Sequence, residues 1–164
     1  MVEWQLRRDC GADLPVVLRW FADPDFYFGT TTPHLLSEPE IVSLLDEPNT
    51  YVLHHDAQPV GLLRYEYMES YLGTVSVTIR LHSGASFDLW CRLLSLLPSL
   101  VWGQLDFWRV QIVCMEFDEL LQRVCLAAGY SDEGNLRNIY FARGRRWEAR
   151  HFAKLQPRSS AQDG

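Results

Sequence analysis

Residues 109–141 constrain the fold of this chain more than any other stretch. Arg109–Met115 is a short apolar run in which Val110, Ile112 and Val113 mark a buried strand. Asp118 then opens a helix over residues 118–128, and Gly129 stands just behind it, where a left-handed residue ends a helix. Residues 136–142 and 146–152 read as two strands around the turn Ala142-Arg143-Gly144-Arg145. Strand, helix and hairpin in this order belong to an α/β domain.

The rest of the chain supplies more of the same. Residues 2–8 alternate as a first strand. Asp13 caps a helix with Pro15 in its first turn and Val16, Val17, Trp20 and Phe21 along it. Residues 26–33 read as a loop. Ser37 and Glu40 form a capping box ahead of Ile41, Leu44 and Leu45, and Pro48-Asn49 stops that helix. Residues 50–54, 60–69 and Thr74–Leu81 predict an antiparallel meander, with turns at residues 56–59 and a break at Gly73. A helix over residues 87–97 follows, capped by Ser86 or Ser83 and ended by Pro98.

Composition bounds the function. The chain has 164 residues, 48% of them hydrophobic, enough for one domain (residues 1–155) with a sizeable core. Residues 156–164 are expected to be a disordered tail. The net charge of −6 argues against attraction to nucleic acid. It is unevenly spread: residues 1–136 hold 8 Lys and Arg against 19 Asp and Glu, and residues 137–164 hold 7 against 2. The basic segment is either a solvated hairpin or a contact for phosphate or an acidic partner. Cys10, Cys91, Cys114 and Cys125 form no Cys-x-x-Cys pair and have no His at metal-ligand spacing, so reduced thiols and no metal are expected. The N-terminus has no apolar signal region. The longest apolar stretch, residues 93–101, is broken by Ser95, Pro98 and Ser99. A soluble protein of the cytoplasm, with no membrane partner, is the expectation.

The order strand, two helices, three strands, helix, strand, helix, two strands resembles the GNAT (N-acetyltransferase) superfamily. The run from Arg109 through Gly129-Tyr130, then Glu133-Gly134-Asn135-Leu136-Arg137 and the Arg143-Gly144-Arg145 hairpin, is similar to its ribosomal-protein/aminoglycoside acetyltransferase branch. The resemblance implies a mixed sheet of about seven strands with helices on both faces. It also implies a gap between the fourth and fifth strands, Thr74–Leu81 and Arg109–Met115, that takes acetyl-CoA. The family's pyrophosphate motif, Gln/Arg-x-x-Gly-x-Gly/Ala, maps onto Arg80, Leu81, His82, Ser83, Gly84 and Ala85, followed by Ser86. Ser83 replaces the first Gly, and the stretch doubles as a plain helix cap.

Catalytic candidates follow from the same resemblance. The family's thiolate-protonating Tyr is Cys125 here, a residue that is also a natural core thiol. Its Asn at the helix start is Asp118. The fourth strand lacks a carboxylate, so Glu66, Glu69, Glu116 and His82 are the candidate bases. Phe28, Tyr65 and Tyr67, with Phe26 and Tyr27, are candidate acceptor-pocket residues or core. His54 and His55 point to opposite sides of a strand and cannot easily share a metal. Three readings result. The first is acetyl transfer from acetyl-CoA to an amine of a small molecule or peptide. The second is a divergent GNAT-fold enzyme of a specialised natural-product pathway running another reaction. The third is a non-catalytic partner contacting others through residues 137–150. Exposed strands make a homodimer plausible.

Overall fold

A computed structural model describes residues 3–8, 11–28, 36–68, 73–102, 107–142 and 144–156 of the chain. Along it run β1 (Trp4–Arg7), α1 (Leu14–Phe21), α2 (Glu38–Asp46), β2 (Thr50–His55), β3 (Gln58–Tyr67) and β4 (Thr74–Leu81). Then come α3 (Phe87–Trp102), β5 (Arg109–Met115), α4 (Glu119–Ala127), β6 (Ser131–Ala142) and β7 (Arg145–Leu155). Among the described residues the strands form one sheet in the order β1-β2-β3-β4-β5-β7-β6. The β4–β5 pair is parallel and the other pairs are antiparallel.

Strand alternation divides the core between the two faces. Val52 and Leu62 pack with Val17 and Phe21 of α1 and Ile41, Leu44 and Leu45 of α2. Their neighbours Leu53 and Leu63 turn the other way, to Leu93, Leu94 and Leu97 of α3 and Leu121 and Val124 of α4. No described helix is long and apolar enough to cross a membrane.

Local chemistry explains most boundaries. The capping box forms, with the Ser37 N–H donating to the Glu40 carboxylate at 2.7 Å. Asp56 and Ala57 both take left-handed φ (49° and 63°), so the hairpin turn is tighter than expected and β3 starts at Gln58. Asp13 holds the N-cap position of α1, but its side chain makes no cap bond. Its carboxylate instead meets Nε2 of the buried His54 at 2.8 Å.

Two boundaries depart from expectation for tertiary reasons. α3 does not end at Pro98 but runs through it to Trp102. Proline has no N–H for the Leu94 carbonyl, and the Tyr130 hydroxyl donates to that carbonyl at 3.0 Å in its place. β6 begins at Ser131 rather than residue 136. It accommodates the extra length by two register shifts, with Gly134 (φ 109°) and Asn138 (φ 51°) at the irregular points. Cys10, Glu69, Tyr71, Arg143 and residues 157–164 lie outside the described residues.

The feature that positions a site is the β4–β5 ladder. It runs from Thr74↔Arg109 to Val77↔Ile112 and stops. Beyond that point β4 stays paired with β3 up to Leu81, and β5 with β7 up to Met115. The sheet therefore forks between Thr78–Leu81 and Val113–Met115.

Candidate active site

Two helix N-termini face each other across the tips of the fork. On the β4 side, Ser86 caps α3, its Oγ accepting the Leu89 N–H at 3.1 Å. Residues 82–85 between strand and helix make a tight turn. The Ala85 N–H donates to the His82 carbonyl at 3.0 Å, and the Gly84 N–H to His82 Nδ1 at 3.1 Å. Two backbone donors of the candidate pyrophosphate loop are thus used within the loop itself. While Nδ1 accepts, a neutral His82 carries its proton on Nε2 and presents a donor rather than a base. Trp20 stacks on the imidazole, ring centroids 6.2 Å apart. Ser83 hydrogen-bonds Asp23. The Asp25 N–H first, and Ser83 second, hold the Asp23 carboxyl below its ordinary range.

On the β5 side Asp118 caps α4 by accepting the Leu121 N–H at 3.1 Å. The same carboxylate accepts the Tyr27 hydroxyl at 2.5 Å and pairs with the Arg80 guanidinium. That guanidinium lies 3.8 Å from the centre of the Tyr27 ring. Arg80 and Asp118 are 9% and 7% exposed, so the pair is largely desolvated. Arg80 Nε has no hydrogen-bond partner among the described residues. Burial, chiefly, drives the Tyr27 hydroxyl far above its ordinary pKa; the Arg80 charge opposes this and Asp118 adds to it. A cavity of about 300 Å³ opens at this point, lined by Tyr27, Arg80, His82, Ser83, Trp90 and Asp118 among others.

A second cavity of about 720 Å³ lies on the same sheet, lined by Met68, Thr74, Trp108, Arg109, Gln111, Leu136 and His151 among others. It occupies the face that carries α1 and α2. By pairing, Gln111 and His151 share that face, opposite the one where Val110 and Ile112 enter the α3/α4 core. Val113, the first β5 residue past the ladder, is paired with His151. The second cavity lies along the paired part of the β4–β5 ladder and shares no lining residue with the first.

Of the candidate residues, Arg80, Leu81, His82, Ser83 and Asp118 line this one cavity. The other candidates go elsewhere. Cys125 is fully buried, its Sγ 3.9 Å from that of Cys114, whose thiol is pushed far up by this contact and by burial. Glu66 is exposed and pairs with Arg64 at 3.4 Å. The Glu116 carboxylate accepts the Glu148 N–H at 3.3 Å.

The expected pocket of Phe28, Tyr65 and Tyr67 is not assembled. Phe28 belongs to the α1/α2 core, and Tyr65 is buried in the core of the other face. There Tyr65 stacks on Tyr51, and burial first, then the Tyr51 hydroxyl at 3.2 Å, push its pKa up to about 12. Tyr67 is 50% exposed. The physical reason is alternation: Tyr65 and Tyr67 share a side of β3, and that side turns away from Phe28. Sequence reasoning missed Gln111, Trp108 and His151, which have no common motif. It noted Tyr27 only as one aromatic among several.

No protein-family model and no curated relative matches the chain. Solved structures do. One is the Salmonella typhimurium acetyltransferase that modifies the N-terminal serine of ribosomal protein L7/L12. It is 13% identical, with 95% of each chain covered and a TM-score of 0.75. Another is the ribosomal-protein-alanine N-acetyltransferase of Brucella melitensis, at 15% identity, 94% and 99% coverage and a TM-score of 0.72. A third is the spermidine N-acetyltransferase of Vibrio cholerae, in complex with CoA and spermine. It is 15% identical, with 94% and 95% coverage and a TM-score of 0.73. The chain has the fold of these GNAT enzymes.

Proposed function

We propose that this GNAT-fold chain is an acyl-CoA-dependent N-acyltransferase, with acetyl-CoA as the donor. The observation that carries the reading is the forked β4–β5 pair, which opens on a cavity walled by the entry to α3, the N-terminus of α4 and Arg80. Two helix N-termini and a buried guanidinium suit the pyrophosphate of CoA. Arg80, Leu81, His82, Ser83, Gly84, Ala85 and Ser86 are its proposed cradle, with His82 Nε2 as a donor. The pantetheine arm would enter the fork beside Asp118.

In the reaction the amine nitrogen attacks the thioester carbon, the C–N bond forms and the C–S bond breaks. The ammonium proton leaves to solvent or a base, and the CoA thiolate takes up a proton. With Cys125 at the position of the family's phenol, Tyr27 is the phenol in reach. Its hydroxyl proton is already held by the Asp118 carboxylate and burial makes it a poor acid, so Tyr27 walls the site over Arg80 and the thiolate takes its proton from solvent. Asp118 is then a positioning residue for Tyr27. Glu66 and Cys125 line neither described cavity and receive no role in this reading.

A second reading, a GNAT-fold protein that does not use acetyl-CoA, is favoured by the acidic rim of Asp25 and Asp118 and by the self-bonded Gly84 and Ala85. Ligand-linked stability separates the two. Acetyl-CoA at 100 times its Kd adds about 2.7 kcal/mol, or roughly 5–10 °C in Tm for a chain of this size. The absence of any shift at millimolar acetyl-CoA rejects the first reading. Equal shifts with CoA and pantetheine reject the pyrophosphate cradle.

A further inference from the structure

We propose that the 720 Å³ groove on the α1/α2 face takes a small amine that carries both an aromatic or aliphatic body and a carboxylate, an apolar α-amino acid being the simplest example. This rests on the acyl-transfer reading, for which the groove would be the acceptor site. A volume of this size is typical of small-molecule pockets.

The groove's polar groups ask for an acceptor. Arg109 donates to Gln111 Oε1 at 2.9 Å, which fixes the amide with its NH2 pointing away from Arg109. The contact found for Gln111 Nε2 is the Met68 thioether at 3.6 Å. A thioether is a weak acceptor, so a donor on a residue only 7% exposed is left poorly satisfied. His151, on the same face, has a buried Nε2 without a partner among the described residues. A ligand carboxylate beside Gln111 would accept from the Nε2 amide and satisfy it with a charge-assisted bond.

The groove's apolar groups describe the body. Trp108 is 52% exposed and Leu136 43% exposed, and both line the cavity with Met68. Gly73 positions Trp108, since its carbonyl accepts the Trp108 backbone N–H at 2.9 Å and the indole leaves no room for a Cβ on it. A polyamine fits poorly. The carboxylate lining the groove is Glu133, and it is already paired with Arg109. Gln111 stands two residues before Val113, where β5 leaves the ladder, so an amine held on the Val113 side of the anchored carboxylate would face the fork.

The test is calorimetric titration of the protein, without acetyl-CoA, with L-phenylalanine, phenethylamine and spermidine. L-phenylalanine is expected to bind roughly tenfold or more tighter than phenethylamine, the worth of a charged hydrogen bond, and spermidine to be the weakest. Gln111→Leu should remove the advantage of L-phenylalanine and leave phenethylamine unchanged. Trp108→Ala should weaken both. Equal binding of the two aromatic amines, tighter binding of spermidine, or no binding at millimolar concentration overturns the proposal. The acetyl-CoA thermal shift is read on the same sample. If that shift is absent while L-phenylalanine binds, the acyl-transfer reading alone falls; if it is present with no amino-acid binding, the groove proposal alone falls.

Discussion

Tyr130→Phe tests how α3 passes through a proline. The Leu94 carbonyl is buried, and residue 98 cannot donate to it because it is proline. The Tyr130 hydroxyl, on a residue 3% exposed and driven by burial far above its ordinary pKa, donates to it at 3.0 Å. Phenylalanine keeps the ring and its packing and removes this donor alone. The expected cost is that of an unsatisfied buried carbonyl, about 1–3 kcal/mol, read from the urea midpoint at unchanged m-value. Pro98→Ala supplies the test of cause. It returns an N–H to the same carbonyl, so Tyr130→Phe in that background should cost only the net worth of one bond, about 0.5–1 kcal/mol. The coupling between the two substitutions is therefore about 1 kcal/mol. Equal cost in both backgrounds would show that the hydroxyl does not replace the missing helix bond, and the reasoning fails.

Three further outcomes are expected. Asp118→Asn keeps the α4 cap, for which Asn serves as well as Asp, but strands the buried Arg80. Denaturant unfolding should show a loss of about 3–5 kcal/mol, largely recovered with Arg80→Met added, and a loss under about 1 kcal/mol would mean the pair is hydrated. Gly73→Ala places a Cβ 2.2 Å from the Trp108 ring at φ +78°; it should lower stability by about 1–3 kcal/mol and weaken phenethylamine binding, and an unchanged Tm refutes the packing. Tyr65, pushed up to about 12, contributes stability that is complete below the ordinary value of 10.0 and is lost as pH rises through about 12. Phenolate absorbance of the folded protein should therefore show a late component that Tyr65→Phe removes, and ionisation of every tyrosine near pH 10 would contradict it.

Much of the fold was legible because its signals are local. The apolar beat of Arg109–Met115, the Ser37–Glu40 box and Gly129 behind α4 each act within a few residues. They place strands, caps and stops whatever the rest of the chain does. Arg80, His82, Ser83 and Asp118 were legible only through the resemblance to the GNAT pyrophosphate motif and helix start. Local signals failed where a distant partner competed. Pro98 signals a helix end, and Tyr130, 36 residues on, removes the reason to end. Asp13 signals a cap, and His54, 41 residues on, takes its carboxylate.

The sequence by itself determined that this chain alternates strands and helices in the GNAT order and, apart from β3 and β6, close to where each begins. Only the tertiary structure decided what fills the fork. Tyr27 and Asp118 are 91 residues apart, and Arg80 is 38 from Asp118. Their meeting depends on how two helix layers close on a twisted sheet. Gln111, Trp108 and His151 come together for the same reason, on one face of strands β5 and β7. Period and propensity assign a residue to a face, but desolvation and pairing arise only when faces from different parts of the chain are brought into contact.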